Sequence, residues 1–190
     1  MTDTLTPGQM TPSQQWPAEL LLRAQDIKIA FFDVDGVLTD GGLYISESGE
    51  TLKRFHTLDG HGIKMLREAG ITPAVITGRD SSALRHRLNA LGIEHVRYGT
   101  EDKLPAAQQM LAALQLDWHQ AAAIGDDWPD LPVLRRSQFA CAPANAHAEV
   151  RSVAHMVTEQ SGGAGAARAF CDMLLTASGA YVRLLDRYTQ

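Results

Sequence analysis

Basic clusters, long apolar runs and closely spaced cysteines are all missing from this chain of 190 residues. With 17 Lys and Arg against 22 Asp and Glu, and no block of positive charge, it offers no electrostatic track for a nucleic-acid backbone. No apolar stretch approaches the ~20 residues that cross a bilayer. The N-terminus carries Asp3 among Thr, Gln and Pro, where a secretion signal needs a basic start and an apolar core. The two cysteines, Cys141 and Cys171, stand far apart, outside the spacing of a metal knuckle or a redox pair. They read as buried thiols in a reducing compartment. The expectation is a cytoplasmic protein with neither nucleic acid nor membrane as partner.

What is present is ordinary globular material, 45% apolar and 21% charged, enough for one well-cored domain. Residues 1–16, rich in Thr, Gln and Pro, read as a flexible N-terminal arm. Residues 17–178 read as the domain, and 179–190 as a C-terminal helix or tail. After a short helix at Pro17–Gln25 comes the apolar run Ile27–Phe32, which ends in Asp33-Val34-Asp35-Gly36. Leu43–Ile45 and Thr51–Phe55, joined through Gly49, predict a β-hairpin within a flap at 41–58.

From Asp59, placed as an N-cap, helical periodicity runs to Gly70. Strands are then expected at Ile71–Thr77, Ile93–Tyr98, Ala121–Gly125, Phe139–Cys141 and His155–Val157. Helices alternate with them: one capped by Asp80 or Ser81, one over Asp102–Leu116 with Leu104 and Leu114 on its buried side, and a short one near Leu131–Arg135. Gly162–Gly165, a linker or a functional tail, precedes a long final helix. The alternation predicts an α/β fold, a doubly wound parallel sheet with a β-hairpin insert.

Ligands of such sheets gather at the carboxyl ends of the strands. Those ends carry Asp33 and Asp35, then Thr77-Gly78-Arg79, then Asp126-Asp127 with Asp130, while Lys103 starts the helix after the third strand. Clustered carboxylates suit Mg²⁺, a cation that takes oxygen ligands. Thr77, the Gly78 amide and Lys103 suit phosphate oxygens, and a carboxylate can attack phosphorus to form an acyl phosphate. Singly, each has a plainer reading. Asp33 and Asp35 could cap a helix, Lys103 could be solvated, and Asp126, Asp127 and Asp130 could answer a helix dipole. The histidines show no metal spacing.

In order and on the expected elements, these residues resemble the four motifs of haloacid dehalogenase-like phosphatases. The hairpin stands where many members carry a cap domain. Glu101–Leu104, Asn145–His147 and Ser161–Arg168 narrow the resemblance to the 3-deoxy-D-manno-octulosonate 8-phosphate phosphatase family. That resemblance implies a Rossmann-like fold and a Mg²⁺-dependent hydrolysis in lipopolysaccharide precursor synthesis. Asp33 would be nucleophile and metal ligand. Asp35 would be acid and base, its backbone carbonyl also on the metal. Asp126 would be the third ligand, with Asp127 and Asp130 in support.

It further implies that Arg79, Arg87 and Lys64 are candidates for the carboxylate of a sugar acid phosphate. His56, Thr57, Asp59 and Gly60 are candidates for its hydroxyls. Arg87 and Lys64 read equally as surface charges. Leu58 and Tyr98 depart from the family pattern, where Arg and Gln are common. A homotetramer is implied, with hairpins and C-terminal tails at its interfaces, and exposed Leu43, Tyr44, Ile45 and Phe55 would suit burial there. A nonulosonate phosphate is the alternative substrate. A receiver-type phospho-acceptor domain fits poorly, because its acid pair precedes the phosphorylated Asp, which sits on a later strand.

Overall fold

The computed structural model describes residues 13–47 and 49–188; residues 1–12 of the expected arm lie outside them. Six strands form a parallel sheet: β1 Ile29–Phe32, β4 Thr72–Ile76, β5 His95–Arg97, β6 Ala121–Ile124, β7 Phe139–Ala142 and β8 Met156–Val157. Their spatial order is β5-β4-β1-β6-β7-β8. Side chains alternate strictly between the two faces. Ala30, Phe32, Val75, Ala122, Ile124, Phe139 and Cys141 point into one core. Ile29, Phe31, Ala74, Ile76, Ala121, Ala123, Ala140 and Ala142 point into the other. Strands buried on both faces must be apolar at every position, which is why these runs lack the polar alternation of a one-sided sheet.

Helices α1 Ala18–Ala24, α2 Thr57–Glu68, α3 Ser82–Leu91, α7 Ala166–Ala177 and α8 Ala180–Asp186 contribute to the first core. In it Phe170 of α7 meets Phe32 edge-on at 5.5 Å and Phe139 at 6.4 Å. Helices α4 Lys103–Ala113, α5 Leu131–Leu134 and α6 Ala148–Val153 contribute to the second core. The hairpin, β2 Tyr44–Ser46 paired antiparallel with β3 Gly49–Leu52, is a separate two-stranded sheet, and among the described residues no cap domain is evident. Ser48 of the expected turn lies outside the described residues.

Several expectations are corrected. Helix α2 starts at Thr57 with His56 at its cap, and Asp59 lies inside the first turn. There its Oδ1 accepts the Arg168 amide at 2.8 Å, a tertiary role that displaces local capping. Of the two caps expected for α3, Ser81 is the one the structure bears out, accepting the Leu84 amide; Asp80 pairs with Arg85. On α4 the buried face carries Lys103, Ala106, Ala107, Met110 and Leu111, while Leu104 and Leu114 are only half-buried. The final helix is two helices, broken where Gly179 takes φ +72°. Gly162–Gly165 is not a loose linker. A Cβ on Gly162 would fall 1.8 Å from the Gly36 carbonyl oxygen, so the run packs directly behind the Asp33–Gly36 turn. Trp16 packs on the core, and Phe55 is half-buried beneath Arg87.

Candidate active site

Strand β1 leads to β4 on one side of the sheet, and β6 begins the other side, so the order reverses at β1. An open α/β sheet has its natural crevice there. The turn after β1 and the turn after β6 both empty into it. The first is held by the Val34 carbonyl, which accepts from the amides of Val37, Leu38 and Thr39 at 3.2, 2.9 and 2.9 Å. Gly36 sits at φ +94°, and a Cβ there would fall 2.0 Å from Asp126 Oδ2. Only glycine satisfies both the left-handed backbone and the close approach. Asn145 locks the turn from behind: its Nδ2 donates to the Gly36 carbonyl at 3.2 Å, and its Oδ1 accepts from the Gly162 amide at 2.7 Å.

The second turn is organised by Asp130. Its Oδ2 accepts from the amides of Asp126 and Asp127 at 3.0 and 3.3 Å, and its Oδ1 accepts from Lys103 Nζ at 2.6 Å. Lys103 also donates to Asp33 Oδ1 at 2.5 Å, so one buried ammonium bridges the two turns. Thr77 follows β4 immediately, almost wholly buried, with its hydroxyl accepting the Arg79 amide at 3.3 Å. These groups share a cleft of about 170 Å³ lined by Asp33, Asp35, Thr77, Gly78, Arg79, Glu101, Lys103, Asp126, Asp127, Pro129 and Asp130.

Carboxylate oxygens of Asp33, Asp126 and Asp130 lie within 4.8 Å of one another. Burial first, then the Asp130 charge, pushes the pKa of Asp33 up to about 6 against the pull of Lys103. Burial, then the charges of Asp33 and Asp130, pushes Asp126 up to about 8. Burial alone would lower Lys103, but Asp33 and Asp130 outweigh it and the net shift is upward. One lysine cannot neutralise three crowded acids. An all-oxygen set with surplus negative charge fits a hard divalent cation such as Mg²⁺. Asp33 and Asp126 can offer it oxygens directly, whereas both Asp130 oxygens already serve Lys103 and the turn amides.

A pH dependence follows. A carboxyl whose folded-state pKa lies above its ordinary 3.8 favours the protonated form in the fold, so its contribution to stability falls as pH rises through about 6 and about 8. Cation binding requires the ionised form and expels the protons. Saturating MgCl₂ is therefore expected to raise the unfolding midpoint clearly at about pH 8 and little at about pH 5.5, by calorimetry. An equal shift at both would contradict this electrostatic assignment.

Not all the expected residues meet here. Arg87 donates to the His56 carbonyl at 3.1 Å and crowds Gly60, and neither these three residues nor Thr57 and Asp59 line the cleft. Lys64 is exposed on α2, and Leu58 is exposed as well. Tyr98 lies beneath Arg85, 4.2 Å from its guanidinium carbon. Two residues escaped sequence reasoning: Lys53 Nζ reaches Asp35 Oδ1 at 2.5 Å and Glu50 Oε1 at 2.7 Å. An acid followed three residues later by a lysine on a hairpin strand reads as solvent-facing charge, and its long-range partner leaves no local signal.

Residues 98–170 match the model of the haloacid dehalogenase-like hydrolase family. The 3-deoxy-D-manno-octulosonate 8-phosphate phosphatase KdsC of Yersinia pestis is 43% identical over 159 residues, 84% of this chain and 85% of that protein. Among solved structures, a probable YrbI-family phosphatase from Pseudomonas syringae pv. phaseolica superposes with a TM-score of 0.90 at 49% identity, covering 92% of this chain and 99% of that one. The Moraxella catarrhalis 3-deoxy-D-manno-octulosonate 8-phosphate phosphatase, solved with magnesium, phosphate and KDO, gives 0.87 at 35% identity, covering 90% and 98%. Sequence kinship over most of both partners, on a capless parallel sheet whose acids gather at its switch point, makes this chain a member of the 3-deoxy-D-manno-octulosonate 8-phosphate phosphatase family of haloacid dehalogenase-like hydrolases.

Proposed function

We propose that this protein hydrolyses 3-deoxy-D-manno-octulosonate 8-phosphate to the free sugar acid and phosphate, through an aspartyl phosphate on Asp33. The observation that carries the reading is the convergence of Asp33, Thr77, Lys103 and Asp126 on one cleft. Asp33 attacks phosphorus. Lys103, already 2.5 Å from its Oδ1, holds the attacking carboxylate and meets the charge of the transferring phosphoryl group. Thr77 and the Gly78 amide orient the phosphoryl oxygens. Asp35 gives a proton to the departing sugar oxygen and then takes one from the water that hydrolyses the acyl phosphate. Asp33, Asp126 and the Asp35 carbonyl would hold Mg²⁺, which would supply neutralisation of the phosphoryl charge. Asp130 keeps Asp126 and Lys103 in place, and Asp127 supports the same turn.

Arg79, half-exposed at the cleft mouth, is the candidate for the substrate carboxylate. A cleft of about 170 Å³ takes a phosphoryl group, well short of the ~300 Å³ at which sites for larger ligands begin. The sugar therefore needs a further wall. Leu43, Tyr44, Ile45 and Leu52 of the hairpin are exposed and apolar, which supports closure by other subunits, in a homotetramer with hairpins and C-terminal tails at its interfaces. The reading includes a cytoplasmic role in lipopolysaccharide precursor synthesis. A phosphate-release screen across sugar phosphates with MgCl₂ tests it. Highest kcat/KM is expected for the eight-carbon acid phosphate. Preference for a nine-carbon acid phosphate, or for neutral hexose phosphates, would overturn the substrate assignment.

A further inference from the structure

Lys53 carries a charge that the steps above leave unused. It follows β3 immediately, and its side chain is only 1% exposed. Burying an ammonium is costly unless carboxylates meet it. Two do so: Asp35 Oδ1 at 2.5 Å, 18 positions back in the chain, and Glu50 Oε1 at 2.7 Å from the hairpin itself. Arg79 closes the figure loosely, with Nη1 3.7 Å from Glu50 Oε2 and Nε 3.8 Å from Asp35 Oδ2. The result is a ring of alternating charge, Asp35–Lys53–Glu50–Arg79, short on its lysine side and long on its arginine side.

The asymmetry assigns the parts. A carboxylate free to rotate presents either oxygen to a leaving group in many orientations, whereas one tied through Oδ1 presents Oδ2 in a fixed direction. Proton transfer within a hydrogen-bonded approach is sensitive to such placement. We propose that Lys53, held by Glu50, is a positioning residue for Asp35: it fixes Oδ1 so that Oδ2 handles the proton of the leaving oxygen. The hairpin thus orients the acid as well as flanking the cleft. Arg79, bound at longer range, stays available to an anionic substrate. This inference rests on the phosphatase reading, with Asp35 as proton donor.

The test exploits leaving groups. An alkoxide needs a proton to depart; p-nitrophenolate does not. First-turnover rates of Lys53→Met are compared by rapid quench with excess Mg²⁺-loaded enzyme, on the octulosonate phosphate and on p-nitrophenyl phosphate. The expected loss is about 100-fold on the sugar phosphate and under about 3-fold on the phenyl ester, with little change in half-saturating concentration. Glu50→Gln, nearer the surface, should show the same split at roughly 10-fold, and serves if Lys53→Met folds poorly. Equal losses on both substrates, or a change in half-saturation alone, would overturn the positioning role. Should the wild type prefer another alkyl phosphate, that compound replaces the octulosonate in the comparison. Failure of the substrate assignment and failure of Lys53 positioning thus give different results.

Discussion

Asp33→Asn is expected to lower turnover by on the order of 10⁴-fold or more at saturating Mg²⁺, the scale on which loss of a nucleophile acts. The carboxamide keeps the shape of the side chain and loses its attacking charge. Stability should move the other way. Asp33 is almost fully buried, and its upward-shifted pKa reports that its ionised form is costly beside Asp126 and Asp130. The variant should unfold at a midpoint no lower than wild type at about pH 8 without added metal, by calorimetry. Lost turnover with retained stability separates a chemical role from a structural one. Turnover near the wild-type level would remove Asp33 from the mechanism.

Lys103→Met is expected to fail on both counts. Its ammonium is shared by Asp33 at 2.5 Å and Asp130 at 2.6 Å, both buried. Removing one partner of a buried ionic group typically costs about 3–5 kcal/mol, because the remaining charges stay uncompensated. Here three acids within 4.8 Å would lose their nearby lysine. Protonation relieves that repulsion, so the destabilisation should be largest at alkaline pH and shrink toward about pH 5, and MgCl₂ should recover part of it. Activity should fall by about 10²–10³-fold with Mg²⁺ saturating, the usual cost of losing one donor to developing charge. A variant with wild-type kcat and only a raised KM would make Lys103 a plain binding residue.

The sheet and the carboxylate ends of β1 and β6 were legible in the chain because they are local. A strand buried on both faces must be apolar throughout, and Asp33 or Asp126 at its end stands out against that background. The hairpin was legible for the same reason, through its Gly-containing turn. What stayed hidden depends on partners distant in sequence. Asp59 reads as a cap, yet its carboxylate takes the Arg168 amide across the fold. Lys103 was legible as a residue of the cleft, but its burial and its sharing between Asp33 and Asp130, both distant in sequence, were not. Gly162 looks like part of a linker until the Gly36 carbonyl is found where its side chain would be. Lys53 shows no local difference from a surface lysine. Asp33 and Asp35, alike in sequence, are separated by these distant partners: Lys103 and Asp126 surround the first, while the hairpin's Lys53 holds the second.

The proposed covalent phosphoryl-enzyme on Asp33 can be trapped. Enzyme turning over the octulosonate phosphate with MgCl₂ is quenched in acid, reduced with borohydride and digested, and the peptide that holds residues 33 and 35 is sequenced by mass spectrometry. Reduction of an acyl phosphate converts the bearing aspartate to homoserine, and the conversion is expected at Asp33 alone, only when substrate is present. Conversion at Asp35, or continued turnover with both aspartates intact under the same quench, would rule out a phosphoryl-enzyme on Asp33.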